Sequence, residues 1–251
     1  MPFLTTEFDQ LLVLAYASAV LVLAYTIFSL SGFGSALIAS APLATALPVS
    51  RVIPLLALLD CFGSIRRCWS SRRAIDLPQL KRLLPAMLAG QLIGVQALTR
   101  LPQTGMGLLL GGFVIVYGLS KLYSTPAKTP LRPYGASLAG VCGGILGGLF
   151  GSGGFVYASY LEQQLPDRQQ FRATQAVLIA LSTTWRLLLC AIGGLIDGKL
   201  LLTALALLPA ALLGDWLGKH IDLRLSRPQL TKLINLLLVA SGTMLILRTV
   251  N

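Results

Sequence analysis

Apolar runs separated by short polar stretches fill almost the whole chain. No charged side chain occurs from Gln10 to Ser50, about twice the roughly 20 residues one bilayer crossing needs. Further apolar runs cover residues 52–65, 83–99, 105–120, 135–161, 173–196, 200–218 and 229–247. Each is apolar nearly all round rather than along one stripe, which suits a helix among lipid tails or other apolar helices. The pattern predicts an all-α integral membrane protein. The N-terminus carries Glu7 and Asp9 where a secretory signal would be basic, so the first run is expected to stay as part of the fold.

The chain divides at Ser124–Tyr134, where Pro126, Pro130 and Pro133 lie among Lys128 and Arg132. That composition predicts a cytoplasmic linker over 124–134 between membrane repeats at 10–123 and 135–249. The repeats align: Leu83-Leu84-Pro85-Ala86, then Gly90 and Gly94, match Leu207-Leu208-Pro209-Ala210, then Gly214 and Gly218. The register continues to Arg100-Leu101 against Arg224-Leu225 and to Gly118 against Gly242. Nearer the start of each half, Gly32-Phe33-Gly34-Ser35 corresponds to Gly151-Ser152-Gly153-Gly154. Each cluster interrupts a long apolar run. Paired, glycine-broken segments in two repeats point to a transporter's binding site.

Charge discriminates between two topologies. If every long run crosses, the halves are parallel repeats, eight spans in all, and the basic residues divide weakly between the two sides. If the first run of each half re-enters at its glycine cluster, three crossings follow it and the halves are inverted. One side then collects Arg66 to Arg82, Lys121 to Arg132, Arg168, Arg172 and Lys219 to Lys232, leaving Arg51, Arg100, Lys199 and Arg248 opposite. The excess of Lys and Arg on cytoplasmic loops favours this inverted, re-entrant arrangement, although the arm near residues 11–30 is long enough to span.

Composition closes off other classes. Hydrophobic residues make up 55 % of the chain and charged ones 12 %, about half the charged share of a soluble domain. The net charge of +11 lies in loops, as for cytoplasmic loops facing anionic lipid, with no nucleic-acid motif. Cys61, Cys68, Cys142 and Cys190 sit in or beside apolar runs without CxxC spacing, so neither a disulfide framework nor a metal site is indicated. One histidine, His220, and scattered carboxylates offer no catalytic constellation. No cofactor is expected. An accessory membrane subunit without a substrate is the rival to a transporter, and the oligomeric state is left open.

Over roughly residues 15–248, the doubled glycine break and the doubled LLPA-x3-G-x3-G helix resemble the sulfite exporter TauE/SafE family. The resemblance implies a multi-pass exporter or carrier of small sulfur-containing anions, such as sulfite and organosulfonates, in the bacterial inner membrane. Phe33 stands where the family shows a fuller glycine run, which makes substrate identity the least transferable property. Small carboxylates or thiosulfate are the alternative cargo.

Physics then nominates a site. Helices restarting near Ser35 and Gly154 would present unpaired N–H groups and about half a positive charge each, and two such ends make an anion cradle. The candidate binding residues are therefore Gly32, Gly34, Ser35, Gly151, Ser152, Gly153 and Gly154. Arg186, deep in an apolar run, is costly unless it faces a cavity or a partner, and its planar fork suits an oxyanion. Its repeat counterpart Arg66 either joins it or snorkels to the surface. Thr183 and Thr184, beside Ser182, supply hydroxyl donors. Asp60 is a candidate proton carrier or the partner of an arginine. Gly143-Gly144 and Gly147-Gly148 read as a packing face. A monovalent anion leaving a negative cytoplasm gains roughly 2.3 kcal/mol per 100 mV, so export needs no coupling ion.

Overall fold

The computed structural model describes residues 7–31, 35–71, 74–123, 135–220 and 227–250, and every element in them is helical. The first half contributes α1 (Glu7–Ser31), α2 (Ser35–Ala46), α3 (Val49–Ser71), α4 (Leu77–Arg100) and α5 (Gln103–Tyr123). The second contributes α6 (Gly135–Phe150), α7 (Gly154–Gln164), α8 (Arg168–Ile192), α9 (Gly198–His220) and α10 (Arg227–Val250). The helices restart at Ser35 and Gly154, where the glycine clusters end. Gly32 and Gly34, and the whole linker at 124–134, lie outside the described residues.

Aspartates start several of these helices. Asp76 accepts from the Gln79 amide at 2.8 Å, Asp167 from Gln169 at 2.9 Å and Asp197 from Leu200 at 2.7 Å. Each satisfies an amide that has no partner within its helix. Among the described residues, four helices are long and apolar enough to cross a membrane: α1, α5, α8 and α9. The second half's break is flanked by shorter helices, α6 with 16 residues and α7 with 11. The two breaks thus sit in unequal hairpins, because α1, with 25 residues, is long enough to cross on its own. Val116, Leu138, Ile192, Leu202 and Leu205 face outward, where acyl chains rather than water suit them.

The halves are interleaved rather than side by side. Helix α4 packs along α6, α9 along α1, α5 on α10 and α3 on α8. Glycine sets the first two contacts. A Cβ on Gly90 would strike the Val141 carbonyl oxygen, and one on Gly94 that of Ile145. From the other side, Gly144 and Gly148 lie against the carbonyls of Met87 and Gln91. Gly214 and Gly218 meet the Val22 and Thr26 carbonyls of α1 in the same manner. The LLPA-x3-G-x3-G helix of each half is therefore the one that lies against the first helix of the other. Small residues let backbones approach closely where lipid supplies no hydrophobic drive.

Contact order along the other two pairs gives direction. Gly107 lies against Thr249, Gly111 against Ile246 and Gly242, and Gly118 against Asn235 and Val239, so α5 and α10 run antiparallel. Arg51, near the start of α3, pairs with Asp197, just beyond the end of α8, at 2.9 Å. Farther along α3, Asp60 pairs with Arg186, farther back in α8. This pair is antiparallel too.

A bulky side chain in the α4–α6 seam should push backbones apart, at about 1–3 kcal/mol or more. Gly144→Leu is expected to lower the melting temperature in detergent clearly. Gly112→Ala, where nothing lies within 4 Å of the added carbon, should leave it unchanged or slightly raised, since Ala favours the helix.

Candidate functional site

Between the two helix restarts lies a cavity of about 40 Å³, the volume open to the centre of a water molecule. That is room for about three waters, the scale of a small oxyanion. Its walls are Phe28 of α1, Ser35 and Leu37 of α2, Asp60 and Ser64 of α3, the turn Gly151-Ser152-Gly153, the start of α7 at Gly154 and Phe155, and Ile179, Ser182, Thr183 and Arg186 of α8. Both halves contribute.

Arg186 is 3 % exposed. Its Nη1 donates to the Gly147 carbonyl at 3.1 Å and its Nη2 lies 3.7 Å from Asp60 Oδ2. The Nε–H has no acceptor among the described residues. A buried guanidinium with an unused donor is costly to leave dry, and here it borders a cavity. Asp60 is held mainly by neutral groups: its Oδ1 accepts from Tyr25 Oη at 2.7 Å and from Ser35 Oγ at 2.8 Å. Ser35 is thus both the first residue of α2 and a tether for the carboxylate.

The second break is shaped around the arginine. Gly151 has φ +70°, a conformation that favours glycine. A Cβ there would collide with Arg186 Nη1 and with the Ala36 methyl across the interface. Gly153 is fitted against the Gly143 carbonyl. It precedes the first turn of α7, whose leading amides lack partners within the helix and carry its positive end. Ser182 accepts a 2.6 Å bond from Gln91 Nε2 and lies beside the buried Tyr157 hydroxyl.

The sequence-nominated residues divide accordingly. Ser35, Gly151, Ser152, Gly153, Gly154, Thr183, Arg186 and Asp60 gather around the cavity. Thr184 does not: it is exposed on the other side of α8, with its hydroxyl paired to the Cys61 thiol. Successive helix positions differ by about 100°; Ser182, Thr183 and Arg186 fall within the arc that lines the cavity, and Thr184 falls outside it. Arg66 lies in α3, but its side chain, like Gly32 and Gly34, is outside the described residues. Gly144 and Gly148 form the packing face expected of them, whereas Gly147 also offers its carbonyl to Arg186. Sequence reasoning missed Tyr25, Ser64 and Gln91. Only Gln91, an amide alone in an apolar run and aligned with Asp215, gave a signal.

A profile described as "Sulfite exporter TauE/SafE" matches residues 17–245, nearly the entire chain. The chain belongs to the sulfite exporter TauE/SafE family. It matches no curated protein and no solved structure. Membership makes it a multi-pass membrane protein of a transporter family for sulfur-containing anions.

Adding one methyl group at Gly151 tests the site's geometry. Gly151→Ala is expected to cost about 1–3 kcal/mol through the strained φ and to displace the guanidinium. Anion-induced thermal stabilisation should fall more than in Gly112→Ala, and equal stabilisation in the two variants would contradict the geometry described.

Proposed function

We propose that this protein carries a small sulfur oxyanion, sulfite or an organosulfonate, out of the cell through the cavity between the two helix breaks. The observation carrying this reading is Arg186: buried, bordering the cavity and holding an N–H with no acceptor among the described residues. A planar guanidinium presents several donors to one oxyanion. The leading amides of α2 and α7 and the Thr183 hydroxyl, with Ser152 and Ser182 beside it in the wall, would complete the cradle. Glycine at 151 and 153 lets the backbone come close to the ligand, and the corresponding role in the first half falls to Gly32 and Gly34. Arg66, the repeat counterpart of Arg186, is the second candidate cation.

The antiparallel pairing of α3 with α8 and of α5 with α10 supports an inverted relation of the two halves, with the linker on the cytoplasmic side of the plasma membrane. Such a relation lets one half rock against the other around a shared site. Outward movement of a monovalent anion is then favoured by the membrane potential.

The test is thermal melting of the purified protein against sulfite, thiosulfate, an alkyl sulfonate, acetate and chloride. A ligand at about one hundred times its Kd should add roughly 2.7 kcal/mol of stability. The expected result is stabilisation by sulfur oxyanions that disappears in folded Arg186→Ala protein. Stabilisation by acetate alone would move the cargo to carboxylates. A shift that survives in Arg186→Ala would overturn the site.

A further inference from the structure

The proposed cradle contains a carboxylate, which an anion site would be expected to exclude. Asp60 is 7 % exposed and shares the cavity wall with Arg186. An arriving anion must compete with it for the guanidinium, so the residue has either an electrical role or a proton to carry.

Three features of the geometry favour the electrical role. First, Asp60 does not depend on Arg186 for its place: Tyr25 and Ser35 both bond Oδ1, at 2.7 and 2.8 Å, whereas Oδ2 meets Nη2 at 3.7 Å, beyond hydrogen-bonding distance. The carboxylate can keep its two hydroxyl donors while the guanidinium turns to another anion. Second, Arg186 is anchored independently through Nη1 to Gly147, and Nε is unused, so a ligand can engage it without tearing it from the protein. Third, no proton is needed for charge. Arg186 and Asp60 cancel in formal charge, and the two helix starts, each with a partial positive end, favour the incoming anion locally.

We infer that Asp60 is a built-in counter-ion, a tethered carboxylate that occupies Arg186 in the empty carrier and yields it to the transported anion. This rests on the anion site proposed above. The arrangement does two things. It weakens substrate binding enough for release, because Asp60 recovers the guanidinium when the anion leaves. It also gives the empty site no net formal charge, so returning it is not opposed by the potential that drives the loaded site outward. Asp60 is therefore a positioning residue acting through Arg186.

The groups that contact Asp60 from its surroundings are Tyr25 of α1, Ser35 of α2 and Arg186 of α8, with Cys61 beside it on α3. Helix α2 carries no titratable side chain, and α5 and α9, also packed on α3, bring no bond or ion pair to Asp60 among the described residues. A proton taken up with the anion would have to land on this carboxylate. That alternative has a distinct signature: the anion and the proton would each strengthen the other's binding.

The experiment measures binding of methanesulfonate, whose charge stays constant over the pH range used, by titration calorimetry on the detergent-purified full chain. Asp60→Asn keeps the shape and an acceptor for Tyr25 and Ser35 but removes the competing charge. It is expected to bind about tenfold tighter or more, with affinity independent of pH in both proteins. Tyr25→Phe removes one tether, frees the carboxylate to press on Arg186 and should weaken binding severalfold. The weakening should vanish in the Asp60→Asn background, a coupling that a purely structural tyrosine would not show.

Unchanged or weaker binding in folded Asp60→Asn would overturn the counter-ion role. So would a wild-type affinity that rises about tenfold for each unit of falling pH, which makes Asp60 a proton carrier and needs no variant to observe. These failures differ from failure of the site itself, in which Arg186→Ala would bind methanesulfonate as the wild type does.

Discussion

A charged group inside a bilayer has no water to solvate it, and this constraint organises the centre of the molecule. Arg186 cannot be left dry, since the idealised cost of such burial is of order 20 kcal/mol and several kcal/mol remain after relaxation. Its surroundings are accordingly polar in a chain that is otherwise apolar: a carbonyl from α6, a carboxylate from α3, a turn that only glycine fits and hydroxyls from α8. The same cavity that relieves the arginine is the one a small anion would enter.

Placing such a centre requires two halves that interlock. The glycines at 90, 94, 144, 148, 214 and 218 bring α4 onto α6 and α9 onto α1 at backbone contact, and those seams fix where the two breaks come to rest. Once there, the second break meets the start of α2: Gly151 lies against Ala36. The repeats have nevertheless diverged at the centre. The first half supplies the carboxylate and its tethers, and the second supplies the guanidinium, the strained glycine and most of the hydroxyls.

Much of the helical frame was legible because apolar runs and glycine breaks are local properties of a sequence. The LLPA-x3-G-x3-G match, the helix restarts at Ser35 and Gly154, and the depth of Arg186 could all be read before any coordinates, and each rests on a local rule. What could not be read was which side of a helix faces the cavity. Neighbouring Thr183 and Thr184 are chemically equivalent in the sequence but lie on different faces, and only the packing of α8 on α3 separates them. Tyr25 was invisible for a related reason. Its contact with Asp60 spans 35 residues, and nothing local marks a tyrosine in an apolar helix as a hydrogen-bond donor. The unequal hairpins were hidden as well, because apolar composition alone does not tell a full crossing from a short arm.

The most direct measurement is an anomalous-scattering structure of the protein with selenite, which has the shape of sulfite and a heavier central atom. The account predicts a selenium peak in the cavity, its oxygens about 3 Å from Arg186 and from the leading amides of α7. A selenium peak elsewhere on the protein, with the cavity empty in selenite-stabilised crystals, would contradict it.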